Sequence, residues 1–345
     1  ALTTGDSNVA IGFEALSTED AHGDNVAVGY QSLKTLNAGA DAFNTAVGYQ
    51  AGTAITTGIR NVLLGASAGD ALTDADFNIA VGSKALGADT LGSASVAIGH
   101  GALEVQNFTS ATNTFNTAVG HNAGVAVTTG VENTIIGGLA GDALTDADYN
   151  VAVGVSALSS DTKGNSSTAI GYQALLTQNF TTTTATYNTA VGRNAGLSVT
   201  TGKQNTLIGG LAGDAITTAS LETAVGYQAL TANTTGTQNT AVGAAALQAA
   251  TTAASNTAVG FVALSAATTG ASNTAVGASA LTANTTAANN TAVGKSALAA
   301  NTTGTRNTAA GSRSGMQTTT GDFNTFLGYD AGESNTTADS NTAVG

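Results

Sequence analysis

The sequence predicts an all-β protein, a parallel β-solenoid of about twenty coils with seventeen amino acids in each, and three observations predict it. The pentad N-T-A-V-G or a close variant occurs twenty times, with its glycine at Gly12, Gly29, Gly48 and onward to Gly328 and Gly345. Sixteen of the nineteen intervals between these glycines are seventeen long, one is nineteen (Gly29 to Gly48) and two are twenty-one (Gly99 to Gly120, Gly171 to Gly192). Within the pentad, residues alternate with period two, which is the signature of a strand with one buried face. A repeat of this length is too short for a strand, a crossover helix and a return strand, since such units need about 30. Each repeat is therefore one lap of a stacked solenoid, and at about 4.8 Å per lap twenty of them predict a rod on the order of 90 Å long.

The elements of one lap follow in order. The second pentad position is β-branched in all twenty copies, from Val9 and Val26 to Thr325 and Thr342, and the fourth is Val, Ile or Leu in all but Ala310. These two positions are expected to face inward. Asn opens the pentad in seventeen copies, replaced only by Ser95, Ser167 and Glu222, and identical amides in register predict an Asn ladder. The face carrying Asn, Ala and Gly is small and uncharged, which predicts that identical chains associate along it about a shared axis. Three residues past the glycine comes Ala or Ser, then Leu in eleven laps and Gly in eight, forming a second short arm. A T-T-G cluster, as at Thr56 to Gly58, supplies the corner before the next pentad.

The Gly laps come in consecutive pairs, Gly52 with Gly69, Gly124 with Gly141, Gly196 with Gly213 and Gly315 with Gly332. After the first of each pair the pentad centre changes from Ala to Leu63, Ile135, Leu207 or Phe326; after the second, Phe77, Tyr149 or Leu221 precedes the pentad. Volume lost in one layer is expected to return in the next, as close-packed interiors require. The result is one continuous solenoid over 1–345: a 72-residue, four-lap super-repeat over 1–220, uniform laps over 221–311 and a return of Gly laps over 312–345.

Composition excludes several classes of function. The 345 residues contain no Cys, Pro or Trp, so disulfide and thiol chemistry are out. A formal charge of −13 with only 9 Lys and Arg disfavours nucleic acid, which needs clustered cations. No apolar run reaches the roughly 20 residues of a membrane span, so insertion by this segment is not expected. The chain starts without Met and stops on the glycine of a pentad, and the native polypeptide is expected to continue beyond a stack that would otherwise end on an unpaired edge.

Ser95 to Gly99 (S-V-A-I-G), Ser167 to Gly171 (S-T-A-I-G) and the many N-T-A-V-G copies resemble the head repeats of YadA-type trimeric autotransporter adhesins. The segments Asn44 to Ala51 and Glu222 to Leu230 are similar to repeats in phage tail-fibre proteins. The resemblance covers essentially the whole chain. It implies a left-handed parallel β-roll, three chains wound side by side, and attachment at a cell or virion surface. The adhesin head repeat is usually shorter than the one here.

No catalytic, cofactor or metal residue is expected. His22, His100 and His121 are the only histidines and lack metal-ligand spacing. The acids gather in corners, Asp70, Asp74, Asp76 and again Asp142, Asp146, Asp148, with Asp214 in a third copy; Asp74 to Asn78 opens like a calcium loop, but Ile79 stands where its glycine belongs. These are read as solvated corners. An aromatic follows the pentad glycine at Phe13, Tyr30, Tyr49, Tyr172, Tyr227, Phe261 and Tyr329, read as packing at a corner or between chains rather than as a platform for sugar rings. The two longest corners, 104–115 and 176–187, occupy the same place in successive copies of the super-repeat, and insertions in solenoids tend to mark the binding face. Glu104, Phe108, Phe115, Leu176, Phe180 and Tyr187 are the candidate receptor contacts.

The expected function is a structural and adhesive extracellular fibre shaft, a phage tail fibre or bacterial surface adhesin, whose partners are its own copies as a homotrimer and a host surface glycan or protein receptor. Two alternatives belong to other classes. One is an ice-binding solenoid, suggested by Thr at the second pentad position in fourteen laps; the other is a glycan-degrading tailspike, which needs two carboxylates held close together.

Overall fold

Each pentad folds as a three-residue strand, from Val9–Ile11 to Thr342–Val344, and each strand whose pairing is described lies parallel to that of the next lap. The computed structural model describes residues 5–19 and 22–345. It is a parallel β-solenoid of about twenty laps, with no helix among the described residues. By their contacts the described residues fall into two compact units, one reaching residue 169 and including 179–185, the other formed by 170–178 and 186–345. In the first unit Val9 pairs with Val26 and Ala10 with Ala27; in the second Thr240 pairs with Thr257 and Val242 with Val259. Like residues sit over like residues, as the strict period requires.

The two strand faces are the reverse of the expected assignment. The central pentad residue is buried from Ala27 to Phe326, and so is the opening Asn, whereas the second and fourth positions look outward. The small face is therefore the interior, not a surface on which chains associate. The reason is space: so short a lap encloses a narrow lumen, and the Ala of the strand, the Ala or Ser of the arm and one Leu already fill it. Thr, Val and Ile suit the pleated strand backbone on either face, so their presence does not by itself report burial.

The Asn ladder forms along this interior. Where Asn follows Asn in successive laps, the backbone N–H of the second donates to Oδ1 of the first, at 2.8 Å for Asn61 to Asn44 and 2.9 Å for Asn273 to Asn256. Its Nδ2 donates mainly to a corner carbonyl 14 residues on, as Asn44 does to Gly58 (2.8 Å), with amide-to-amide contacts of 3.1–3.3 Å secondary. Every buried polar atom of the side chain thus has a partner, which an interior amide needs. The T-T-G corner carries a second ladder in the second unit: the hydroxyls of Thr200, Thr217, Thr234, Thr251 and their successors each donate to the backbone carbonyl of the threonine 17 residues on, at 3.1–3.3 Å.

Tight corners close the lap. In the lap of Gly226, Leu221, Gln228 and Leu230 have φ of 64°, 57° and 53°, a left-handed conformation that costs a non-glycine residue about 1–2 kcal/mol. The same conformation turns each of their N–H groups along the stack, where they donate to Lys203, Gly210 and Ala246. Cross-lap hydrogen bonds offset the strain, so the corners exist only in the stacked state.

Volume compensation takes a simpler form than expected. One large side chain fills the space left by both glycines of a pair: a Cβ on Gly52 would lie 2.7 Å from one methyl of Leu63, and a Cβ on Gly69 2.8 Å from the other. Ile135, Leu207 and Phe326 stand between their own glycine pairs in the same way. The rest of the lost volume returns seven residues past the pentad glycine, where Gly laps bury Ile55, Leu72, Val127, Leu144, Val199 or Ile216. Phe77, Tyr149 and Leu221 do not contribute, being half exposed on the outside. Leu63→Ala is expected to cost about 3 kcal/mol through the cavity it leaves. Gly52→Leu, whose backbone conformation Leu33 already adopts, should recover part of that loss in the double variant while destabilising the wild type. A double-mutant cycle by urea unfolding checks this; additive effects would show that the two positions do not share one space.

Candidate functional site

The lengthened corners are built as anchored loops. Thr112–Asn113 pairs with Gly92–Ser93 beneath it, and Thr184–Ala185 with Gly164–Asn165, giving each loop a short parallel ladder of its own. Beneath the first loop, the buried Asp89 carboxylate accepts N–H groups from Gly92 (3.0 Å) and Phe108 (3.1 Å) and Nε2 of Gln106 (2.6 Å). Burial holds this carboxyl above its ordinary range despite those donors. Gln106 also donates to Ser95 Oγ (2.9 Å) and accepts from Asn116 Nδ2 (2.8 Å), carrying the amide ladder across the lap in which Ser replaces Asn. Asp161 repeats the arrangement with Gly164 and Phe180, both at 3.0 Å.

The candidate contacts divide accordingly. Phe108 and Phe180 are only 7% exposed: they are the loops' hydrophobic anchors and are not available as contact residues. Phe115 and Tyr187, 58% and 60% exposed, stand in the outward column just before the pentad, which also holds Phe43, Arg60 and Phe77 with the Arg60 guanidinium 5.9 and 5.5 Å from the two rings. Leu176 is half buried, and Glu104 pairs with Lys84 at 3.1 Å.

A second outward column follows the pentad glycine. Phe13, Tyr30 and Tyr49 stack in three successive laps, with ring centroids 5.4 and 5.2 Å apart, and His100 stacks on His121 at 5.4 Å. Within one chain these aromatic rings are exposed rather than packed into a corner. The acidic corners tie laps together: Asp76 Oδ1 accepts the Ile59 N–H at 2.8 Å, Asp148 Oδ1 that of Val131 at 2.9 Å, and Asp74 the Thr57 hydroxyl at 2.6 Å. Among the described residues no group of three His, Asp or Glu side chains is placed to hold a metal ion.

The largest outward feature is the strand face itself. Across twenty laps its second and fourth positions hold only Thr, Val, Ile, Leu and one Ala, with no charged residue. A groove of about 250 Å³ opens beside it in the first unit, at Asp70, Lys84 and Glu104. Sequence reasoning passed over Lys84 and Ser67, although aligning copies of the super-repeat exposes them, since no other copy has Lys at the first position or Ser at the second. No protein-family model matches the sequence, and no curated protein matches it.

Proposed function

We propose that the chain is a structural and adhesive fibre shaft, assembled as a homotrimer through the outward strand face and acting outside the cell in attachment, with its loops and columns presented to a host glycan or protein receptor. One observation carries this reading: a face of Thr, Val and Ile repeats in every lap without a charge, with Ile98, Ile136, Ile208, Val276, Val293 and Leu327 each about two-fifths exposed. Contiguous apolar surface of this extent is characteristic of an interaction site. A partner of the same repeat would match it lap for lap, and an isologous or cyclic assembly of identical chains supplies such a partner. The threefold number comes from the resemblance to trimeric adhesin and tail-fibre repeats.

Light scattering should give a mass three times the 33.3 kDa of the chain; a monodisperse monomer would overturn the reading. The double variant Val276→Asp, Val293→Asp should lower that mass and the melting temperature together, because six charges would meet on a closed interface. In a monomer the same change would cost only the repulsion and lost strand packing of two neighbouring positions, about 1–2 kcal/mol, and would leave the mass unchanged.

A second reading has its own observation. Ten consecutive laps, from Thr189 to Thr342, carry Thr at the second pentad position in register, and this position faces outward. Hydroxyls repeating at strand spacing can order water. The two readings compete for one face, so thermal hysteresis from a monomeric chain would favour the second and its absence from a trimer the first.

A further inference from the structure

We propose that the groove at Asp70 binds a single hydroxyl-rich sugar residue, with the carboxylates of Asp70 and Glu104 accepting its hydroxyls and Lys84 donating to its oxygens. The three copies of the super-repeat supply the argument. In the second copy the carboxylate of Asp142 accepts the hydroxyl of Ser159, one lap on, at 2.6 Å; in the third Asp214 accepts that of Thr231. In the first copy the equivalent position is Gly87, and a Cβ built there would lie 3.5 Å from Asp70 Oδ1, in the space those hydroxyl side chains fill.

Three further replacements reshape the opening. Ser67 stands where the other copies have Leu139 and Leu211, and Lys84 and Glu104 pair across positions held by Ser156 and Leu176 in one copy and Gln228 and Gln248 in the other. All four changes fall in the first copy and converge on one cavity of about 250 Å³. Ser67 donates a hydrogen bond to Asp70 from its own lap, and burial still raises that carboxyl above its ordinary range. The outer side is left for a hydroxyl from solvent or ligand. Two acceptors, one ammonium and an apolar wall of Ala88 and Val105 match a sugar ring, whose hydroxyls alternate with C–H faces. A bare cation fits less well, because Lys84 already neutralises part of the charge.

The inference deepens the attachment reading and rests on it for the source of the sugar, since Glu104 and Val105 open the first lengthened corner. It is tested by saturation-transfer NMR and calorimetric titration of the full chain with glucose, galactose, mannose and N-acetylglucosamine in turn. At least one should bind in the millimolar range. Gly87→Ser, which restores the side chain of the second copy, and Asp70→Asn should each weaken binding about tenfold or more, the worth of one charge-assisted hydrogen bond. Unchanged melting temperatures verify that both variants fold. Absence of binding by all four sugars, or equal binding by wild type and Gly87→Ser, overturns the groove as a sugar site. Light scattering separates the two ideas: a trimer that binds no sugar sinks the groove alone, and a monomer that binds one sinks the shaft alone.

Discussion

Replacing Gly260 by alanine is expected to destabilise the chain by about 3 kcal/mol or more, well above the roughly 1 kcal/mol that separates the two residues in ordinary positions. Gly260 has φ of 139°, a region closed to L side chains, and a Cβ there would lie 2.6 Å from the carbonyl carbon and oxygen of Gly277 in the next lap. The obstruction is backbone, so no rotamer change relieves it. The same geometry recurs up the column, with Gly243 against Gly260 and Gly277 against Gly294, so the substitution breaks contact with the lap above. In a solenoid the stability is a sum of lap and neighbour terms, and the loss should appear first as faster hydrogen exchange in the strands either side of the substitution. Gly138→Ala is the control: nothing lies within 4 Å of its Cβ and its backbone is ordinary, so the change should be neutral or stabilising by up to about 1 kcal/mol. Equal melting temperatures for the two variants would refute this account of the glycine column.

The Gly260 column also shows why so much of the fold was legible. A backbone contact repeated every lap admits one residue type, and the resulting period fixes lap length, strand position and parallel register before any side chain is considered. The inside and outside of the strand were not legible in the same way. Thr240-Ala241-Val242 alternates whichever face is buried, and the usual equation of larger apolar residues with the core fails when the lumen has room only for alanine. Asn239 and Asn256 held the missing information, because a ladder that satisfies every amide within the chain has no need of solvent, and its face is the one that can be enclosed.

The loop residues misled for a related reason. Phe108 and Phe180 look like exposed aromatics in a polar insertion, yet each is buried and its backbone N–H donates to a buried acid, Asp89 or Asp161. A single lap gives no hint of this, since the acid and the aromatic stand more than one lap apart in the chain. The groove at Asp70 was hidden by its composition: its residues are ordinary members of outward columns, and only alignment of the super-repeat copies sets Ser67, Lys84, Gly87 and Glu104 apart.

Raising the pH through 8 is expected to weaken the second unit, and Glu222→Gln to remove that dependence. Glu222 takes the place of the ladder Asn: its N–H donates to Asn205 Oδ1 at 3.0 Å, and its Oε1 accepts both the N–H and Nδ2 of Asn239 at 3.3 and 3.4 Å. Oε2 is buried without a partner, and the corner carbonyl that a ladder Asn would engage, Gly236, is taken by Asn233 Nδ2 at 2.9 Å. Burial pushes the carboxyl up to about 8, against 4.5 for the free group, and the Asn239 donors only partly oppose it. Between those values the folded chain holds a proton that the unfolded chain has released, so the contribution is whole below about pH 4.5, declines as pH rises and is gone above about pH 8. The full shift corresponds to about 5 kcal/mol. Subtracting the Glu222→Gln melting curve from that of the wild type isolates this group from every other titration. The difference should favour the variant increasingly between about pH 5 and pH 8 and level off above that. A constant difference across that range would mean that the carboxylate finds water or a cation in the ladder, and that the interior is wetter at this lap than the unpartnered oxygen implies.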